Sequence, residues 1–183
     1  MPFQQRKLQM IYHKSGHKKG FTLIELLVVI AVLVILVSII IGFSASVIQG
    51  QNAKKTAYQM AFFLKSQTTK SFSERKTYSL QIKYANRLIT LQTTSGSAAI
   101  NSLNLPSTFD YSRSDNTTTM WSGTVNDYGK FSIPNFGILI KSKSGKVLYK
   151  ITSYSSYSIK TSDINVYRAK SNGTIQTTPL LKL

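Results

Sequence analysis

Three patterns of apolar and polar residues follow one another along the chain, and the first is an almost uninterrupted apolar run. From Leu26 to Phe43 only Ser38 and Gly42 break it, and no charged residue occurs between Leu26 and Ala53. Because about 20 apolar residues in a helix cross a bilayer core of ~30 Å, the run predicts a membrane-spanning helix. The first 20 residues carry five basic side chains and no acid, which favours an N-terminus on the cytoplasmic side.

The second pattern is an amphipathic helical period over residues 54–72. One face carries Ala57, Ala61, Leu64, Thr68 and Phe72, with Tyr58 and Phe62 beside it. Because residues 3–105 contain no proline, nothing in the sequence forces a break between this segment and the apolar run. The two patterns together predict one helix from about residue 21 to about residue 73, whose second half packs on a globular head.

The third pattern, beyond Glu74, alternates apolar and polar residues and predicts β-strands. Residues 78–84 form the first strand, residues 85–87 turn the chain, and residues 88–92 form its partner, whereas the small and polar residues 96–104 predict a loop. Further strands are predicted at residues 108–112, 119–125, 131–133, 137–142, 147–152, 157–161, 164–169 and 174–177. Ser144-Gly145 and Asn172-Gly173 are hairpin signals. A long helix followed by antiparallel strands predicts an α+β fold, with the helix covering one face of the sheet.

Composition narrows the classes of function. Lysine and arginine total 23 and aspartate and glutamate total 6, so the formal net charge is +17 and favours anionic partners such as nucleic acid, acidic lipid or anionic wall polymers. The chain has no cysteine, and its two histidines, His13 and His17, have no further metal ligand nearby. With so few acid–base and nucleophilic side chains, we expect neither an enzyme nor a cofactor or metal site.

Glu25 is the unexpected residue, because it lies at the start of the apolar run, where a buried carboxylate is costly. A cleaved secretory signal would explain the basic start and the small residues near Ala45, but its apolar region is typically ~7–15 residues long and carries no acid. A plain membrane anchor leaves Glu25 unexplained. A glutamate that extends to the membrane interface is a further interpretation.

The residues around Glu25 resemble the N-terminus of the type IV pilin and pseudopilin family. The family motif is a basic leader that ends in glycine, then Phe-Thr-Leu-Ile-Glu, then about twenty apolar residues. In this chain it reads Lys18-Lys19-Gly20, then Phe21 to Glu25, then the run from Leu26. The resemblance implies cleavage after Gly20 by a prepilin peptidase and N-methylation of Phe21. It also implies that Glu25 meets the N-terminal amine of a neighbouring subunit during assembly.

The resemblance also implies a domain organisation and a set of partners. Residues 1–20 are the cleaved leader, 21–53 the transmembrane and assembly helix, 54–73 its amphipathic continuation, and 74–183 a β-rich head. The implied partners are other pilin subunits, prepilin peptidase, an assembly platform membrane protein and membrane lipid. The implied location is a single-pass membrane precursor that later enters an extracytoplasmic filament.

Three functions remain open from the sequence. The abundance of Lys, Asn, Ser, Thr and Ile without Cys resembles proteins of low-GC Gram-positive bacteria, which favours a minor pseudopilin that serves DNA uptake in competence. The alternatives are a subunit of a type II secretion or adhesion and motility filament, and a membrane-anchored wall-binding protein that never polymerises.

The head contains a candidate surface for anionic ligands. Its basic residues are Lys141, Lys143, Lys146, Lys150, Lys160, Arg168 and Lys170, and Tyr149, Tyr154, Tyr157 and Tyr167 are interleaved with them. Basic side chains with exposed aromatics bind DNA through phosphate contacts and stacking. The alternative is that the tyrosines pack the sheet and the lysines only solvate it.

Overall fold

The structure is a computed structural model that describes residues 21–96, 98–132, 136–154 and 162–183, with the side chains of residues 40–45 outside the described set. Helix α1 spans Leu23–Glu74 and confirms the predicted long helix. The strands are β1 (Tyr78–Lys83), β2 (Leu88–Thr93), β3 (Ala99–Asn104), β4 (Asp110–Arg113), β5 (Trp121–Val125), β6 (Gly137–Lys141), β7 (Val147–Tyr154), β8 (Asp163–Arg168) and β9 (Leu181–Lys182). The fold class is α+β, as the sequence predicts.

The chain divides into two compact units, Met1–Ser44 and Ala45–Leu183. In the described part of the first unit, helix α1 presents large apolar side chains to the outside, from Leu23 at 84% exposure to Val32 at 49%. These side chains make no core within their own unit.

Within the described residues, the structure contains no helix whose length and apolar character suffice for a membrane crossing.

The second unit is built around the later part of helix α1. Its buried face consists of Ala53, Thr56, Ala57, Met60, Ala61, Leu64, Gln67, Thr68 and Ser71. Alanines at every fourth position from Ala53 to Ala61 leave room for the strands to approach the helix backbone closely, and Leu64 fills the core beyond them. The predicted face is confirmed for Ala57, Ala61, Leu64 and Thr68.

The aromatic residues of this helix depart from the predicted face. Phe72 is 39% exposed, and Ser71 takes the buried position beside it. The Ser71 hydroxyl lies 2.7 Å from the Asn126 carbonyl oxygen and 3.1 Å from that of Val125, which ties the end of the helix to the end of β5. A hydroxyl can donate to these buried carbonyl groups, whereas a phenyl ring would leave them unsatisfied.

The strands form two antiparallel sheets that share one hydrophobic core with the helix. The first sheet has the order β3-β2-β1-β5 and the second has the order β4-β6-β7-β8-β9. Trp121 of β5 packs on Phe136 with ring centroids 4.6 Å apart, and Phe136 meets Phe131 edge-on at 5.0 Å. These rings add aromatic contacts to the core between the strands.

Three strand predictions need correction. Residues 99–104, predicted as part of a loop, form β3, because pairing with β2 supplies the backbone hydrogen bonds that their small polar side chains do not signal. Residues 174–177 form no strand, and only Ile175 makes an isolated bridge, with Ala169. The short strand β9 follows instead and pairs with β8.

Two other predicted strands are not observed as such. In residues 131–133 only Phe131 makes a bridge, with Val125, and residue 133 is not described. The predicted strand at residues 157–161 lies outside the described residues. The turn after β1 and the hairpin at Ser144-Gly145 are confirmed, since the chain reverses between β1 and β2 and between β6 and β7. Asn172-Gly173 forms a turn that is followed by no more than the isolated bridge, and Gly145 and Gly173 adopt positive φ angles of 82° and 84°.

Candidate functional site

The first candidate site is the start of helix α1, where Thr22 and Glu25 form a reciprocal cap. The Thr22 backbone N–H and hydroxyl donate to Glu25 Oε2, at 2.8 and 3.0 Å. The Glu25 backbone N–H in turn donates to Thr22 Oγ1 at 3.3 Å. Thr22 is thus the N-cap and Glu25 the third helical residue, which is the capping-box arrangement. The carboxylate also lies at the positive end of the helix dipole, where a negative charge is favourable.

This geometry gives Glu25 a role within its own chain that the sequence interpretation missed. The spacing Thr-x-x-Glu before an apolar run is itself a sequence signal for a capping box, and it would have identified Thr22. Both donors from Thr22 go to Oε2, and the described residues supply no donor to Oε1. The second carboxylate oxygen is therefore open to a donor from another molecule.

The other residues of the predicted processing site lie next to this cap. Phe21 is 85% exposed and precedes the first residue of the helix. Gly20 lies outside the described residues. Phe21 therefore lies ahead of the capped first turn of helix α1.

The second candidate site is a basic groove at one end of the second sheet. The groove has a volume of about 340 Å³, and its lining includes Lys146, Arg168 and Lys170 together with Gln49, Gly50 and Ser171. We call it the basic groove. It brings together three of the seven basic residues predicted as an anion-binding surface.

Two tight turns carry the lysines to this groove. Ser142 and Lys146 close the β6–β7 turn, with the Ser142 N–H donating to the Lys146 carbonyl at 2.8 Å. The turn after β8 is closed by the Lys170 N–H, which donates to the Thr174 carbonyl at 2.7 Å. Since Tyr149 pairs with Arg168 across β7 and β8, both turns lie at the same end of the sheet. The positive φ angles at Gly145 and Gly173 make these turns possible.

The remaining predicted basic residues lie elsewhere. Lys143 forms an exposed ion pair with Asp110 at 2.6 Å, and Lys141 Nζ donates to the Asn116 side chain at 2.9 Å. Lys150 pairs with Tyr167 across β7 and β8. Their side chains lie on the face of the sheet opposite Tyr149 and Arg168. Lys160 lies outside the described residues.

The tyrosines of the predicted surface also differ in position and in burial. Tyr149 is buried in the core, and burial raises the pKa of its hydroxyl above the ordinary value. Tyr167 is half-buried and Tyr154 is 54% exposed, whereas Tyr157 lies outside the described residues. Tyr149 therefore packs the sheet, and it is not available for stacking on a base.

The described part of the chain contains no group of three or more His, Cys, Asp or Glu side chains that could hold a metal ion. The expectation that the chain is not an enzyme stays a prediction.

A known family model matches the part of the chain that contains the first site. Residues 16–41 match the family model described as the prokaryotic N-terminal methylation motif. The matched segment contains Gly20, Phe21 and Glu25, as well as the capping residue Thr22. Comparison with curated protein sequences gives no match.

Comparison with solved structures gives chains of low sequence identity. A crystal structure of the type IV minor pilin FimU of Pseudomonas aeruginosa has a TM-score of 0.49 at 13% identity, over 68% of this chain and 98% of that one. The minor pseudopilin EpsH from the type 2 secretion system of Vibrio cholerae has a TM-score of 0.43 at 14% identity, over 70% of this chain and 97% of that one. Similarities of this size assign neither a family nor a function.

Proposed function

We propose that the chain is the precursor of a pilin-like structural subunit. It is cleaved between Gly20 and Phe21 by a prepilin peptidase, N-methylated at Phe21, and assembled through helix α1 into a type IV pilus-like filament. The observation that carries the proposal is the match of residues 16–41 to the N-terminal methylation motif. The capped helix start at Thr22 and Glu25 lies inside that segment.

The chemistry of Glu25 supports assembly through the helix. A carboxylate at membrane depth costs several kcal/mol unless it is paired. The Thr22 donors satisfy Oε2, and Oε1 is left for a partner from outside the chain. Cleavage after Gly20 creates an α-amino group on Phe21, and the same group on a neighbouring subunit is a cation of the right sign for Oε1. Assembly thus neutralises a charge that the single subunit leaves partly unpaired.

The proposed location follows from the charge pattern and the exposed apolar side chains. The apolar run of helix α1 inserts in the membrane with the N-terminus on the cytoplasmic side, where the peptidase acts. An assembly platform membrane protein then moves the subunit into the filament. The apolar side chains of Leu23 to Ile39, all about half exposed or more, contact lipid first and other subunits afterwards.

For the filament we propose a role in DNA uptake during competence. After cleavage the chain keeps 18 basic and 6 acidic residues, and this excess of positive charge supports contact with an anionic polymer. There are two alternatives to this role. The first is a filament for type II secretion, adhesion or motility, and the second is a wall-binding membrane anchor that does not polymerise. Deletion of the gene separates them: loss of transformation with normal secretion and adhesion supports the role in DNA uptake.

The N-terminus of the protein from its native membrane tests the processing step. Mass spectrometry is expected to show a chain that begins at Phe21 and is one methyl group heavier than its sequence. A Gly20→Trp variant is expected to remain uncut, and the matched Gly16→Trp variant is expected to be cut normally. An intact Met1 in cells with an active prepilin peptidase would contradict the proposal, and a chain that begins at Val47 would indicate an ordinary secretory signal.

A further inference from the structure

The basic groove contains three cations without a counter-ion. The ion pairs among the described residues are Lys70–Glu74, Arg113–Asp115, Lys143–Asp110 and Lys182–Asp163. None of them involves Lys146, Arg168 or Lys170, and no carboxylate belongs to the described lining of the groove. Three cations that line the same groove repel one another, and an anion in the groove would relieve that repulsion.

The groove also offers neutral hydrogen-bond donors beside the cations. Ser171 and Ser144 contribute hydroxyl groups and Gln49 contributes an amide. Ser171 is exposed, and the described residues give its side chain no hydrogen bond. Gly50 has no other atom within 4 Å of the position where a Cβ would stand, so the helix side of the groove is open. A phosphate group with several oxygen acceptors matches this mixture of charged and neutral donors.

The position of the groove along the chain indicates where that phosphate comes from. Gln49 and Gly50 belong to the first turns of the second unit, which begins at Ala45. The apolar run ends at Phe43, only a few residues earlier. If the apolar run of helix α1 inserts in the membrane as proposed above, Gln49 and Gly50 follow that run at the depth of the lipid head groups.

We propose that the basic groove binds the phosphate of an anionic phospholipid head group. The site would hold the second unit against the membrane surface before assembly and would release it when the subunit leaves the bilayer. This inference rests on the proposed membrane insertion and adds to it a ligand and three residues: Lys146, Arg168 and Lys170. Lys143 is excluded because Asp110 already neutralises it.

A fluorescence titration of the full-length chain in detergent micelles tests the inference. The chain has no native cysteine, so a Gln51→Cys variant accepts one environment-sensitive dye on the helix next to the groove, at an exposed residue outside its lining. Phosphatidylglycerol is expected to produce a saturable blue shift, and phosphatidylcholine is not. Each cation replaced in the series Lys146→Gln, Arg168→Gln and Lys170→Gln should weaken the apparent affinity about fivefold, from ~1 kcal/mol for each basic residue at an anionic surface.

A matched variant controls for net charge. Replacement of Lys76, Lys83 and Lys150 by glutamine removes the same charge outside the groove and should leave the titration unchanged. The proposed site would be wrong if this control lost as much affinity for phosphatidylglycerol as the variant with all three groove cations replaced. It would also be wrong if the chain responded equally to phosphatidylglycerol and phosphatidylcholine. If inorganic phosphate produces the same shift at the same concentration, the ligand of the groove is a free anion and not a lipid. If a DNA oligonucleotide produces the shift at a lower concentration than the lipid does, the ligand of the groove is nucleic acid.

The N-terminal mass of the same preparation keeps this inference separate from the proposed function. A chain that begins at Phe21 but shows no preference for phosphatidylglycerol retains the processing proposal and removes the lipid site. A chain with an intact N-terminus that still binds phosphatidylglycerol through the groove retains the site and removes the processing proposal.

Discussion

The two parts of helix α1 differ in how far their apolar side chains are buried. In the first unit the apolar residues are large and exposed, for example Leu33 at 53% and Ile35 at 60%. In the second unit the buried residues are small or medium-sized, and Ala57, Ala61 and Leu64 are completely inaccessible. The same type of secondary structure is therefore stabilised by two different environments.

The difference identifies which part of the helix needs another molecule. The second part packs on the two sheets and finds its hydrophobic contacts within its own chain. The first part has no such contacts among the described residues, and an exposed apolar surface of this extent marks a site of membrane or protein interaction. Glu25 lies in that part, and the described residues supply no donor to its Oε1.

The largest expected effect is the loss of a core side chain from the second part. Leu64→Ala removes a completely buried side chain and should lower the free energy of unfolding by about 2–5 kcal/mol. Leu33→Ala is the matched control, since it makes the same change in the same helix at an exposed position, and it should change this value little. Urea unfolding followed by the fluorescence of Trp121, the single tryptophan, measures both.

If the two substitutions lowered the free energy of unfolding equally, the first part of the helix would also belong to the cooperative core, and the difference between the two parts would not hold.

A smaller effect is expected from the helix cap. Thr22→Ala removes the hydroxyl that accepts from the Glu25 N–H and donates to Glu25 Oε2, at a cost of about 1 kcal/mol. Hydrogen exchange of the first-turn amides should therefore speed up about fivefold, by the same estimate. Thr22→Ser keeps the hydroxyl and should restore slow exchange. Fast exchange in both variants would mean that the cap is not formed in solution.

The smallest effects concern two buried tyrosines of the second unit. Tyr111 donates to the Pro106 carbonyl at 3.0 Å, whereas the Tyr84 hydroxyl has no hydrogen-bond partner among the described residues. Tyr111→Phe should destabilise the chain by about 1 kcal/mol, and Tyr84→Phe should be neutral or stabilising, since it removes an unsatisfied buried group. Equal losses in the two variants would show that Tyr84 has a partner after all.

The same tyrosines predict the behaviour of the core at high pH. Burial raises the pKa of both hydroxyls in the folded state. Their contribution to stability is therefore complete below the unfolded pKa of about 10 and is lost as the pH rises above it. Above about pH 10, Tyr84→Phe should lose stability with pH less steeply than the unmodified chain, by up to ~1.4 kcal/mol per pH unit. Identical slopes would contradict the assignment.

Most of the fold could be predicted because its hydrophobic pattern is local. The helix, the β1–β2 hairpin and the strands β5 to β8 follow from periodicity in the residues themselves. Strand β3 could not be predicted, since Ile100 and Leu103 do not alternate with polar residues and the segment is mostly exposed, so that its strand structure comes from pairing with β2. The exchange of Phe72 for Ser71 in the buried face depends on the Val125 and Asn126 carbonyls, which no local pattern indicates.

The candidate sites show the same limit. The motif at Phe21 to Glu25 is contiguous, so the sequence identifies it, although the role of Thr22 in the cap was missed. The seven basic residues are close in sequence, but among the six that the structure describes, alternation along β7 and β8 and the two turns bring Lys146, Arg168 and Lys170 into one groove. Which charges converge is decided by strand pairing, and pairing over long sequence distances is not visible in composition.

The measurement that tests the account most directly is filament assembly by a Glu25→Ala variant, compared with the unmodified chain and with a Glu74→Ala control, which makes the same change at the other end of helix α1. We expect the variant to be processed to Phe21 and to show an unchanged unfolding free energy of the second unit, but to be lost from sheared filament fractions. Filaments in unchanged amount would contradict the assembly role of Glu25 and would leave helix α1 with a capped N-terminus and no more than an anchoring function.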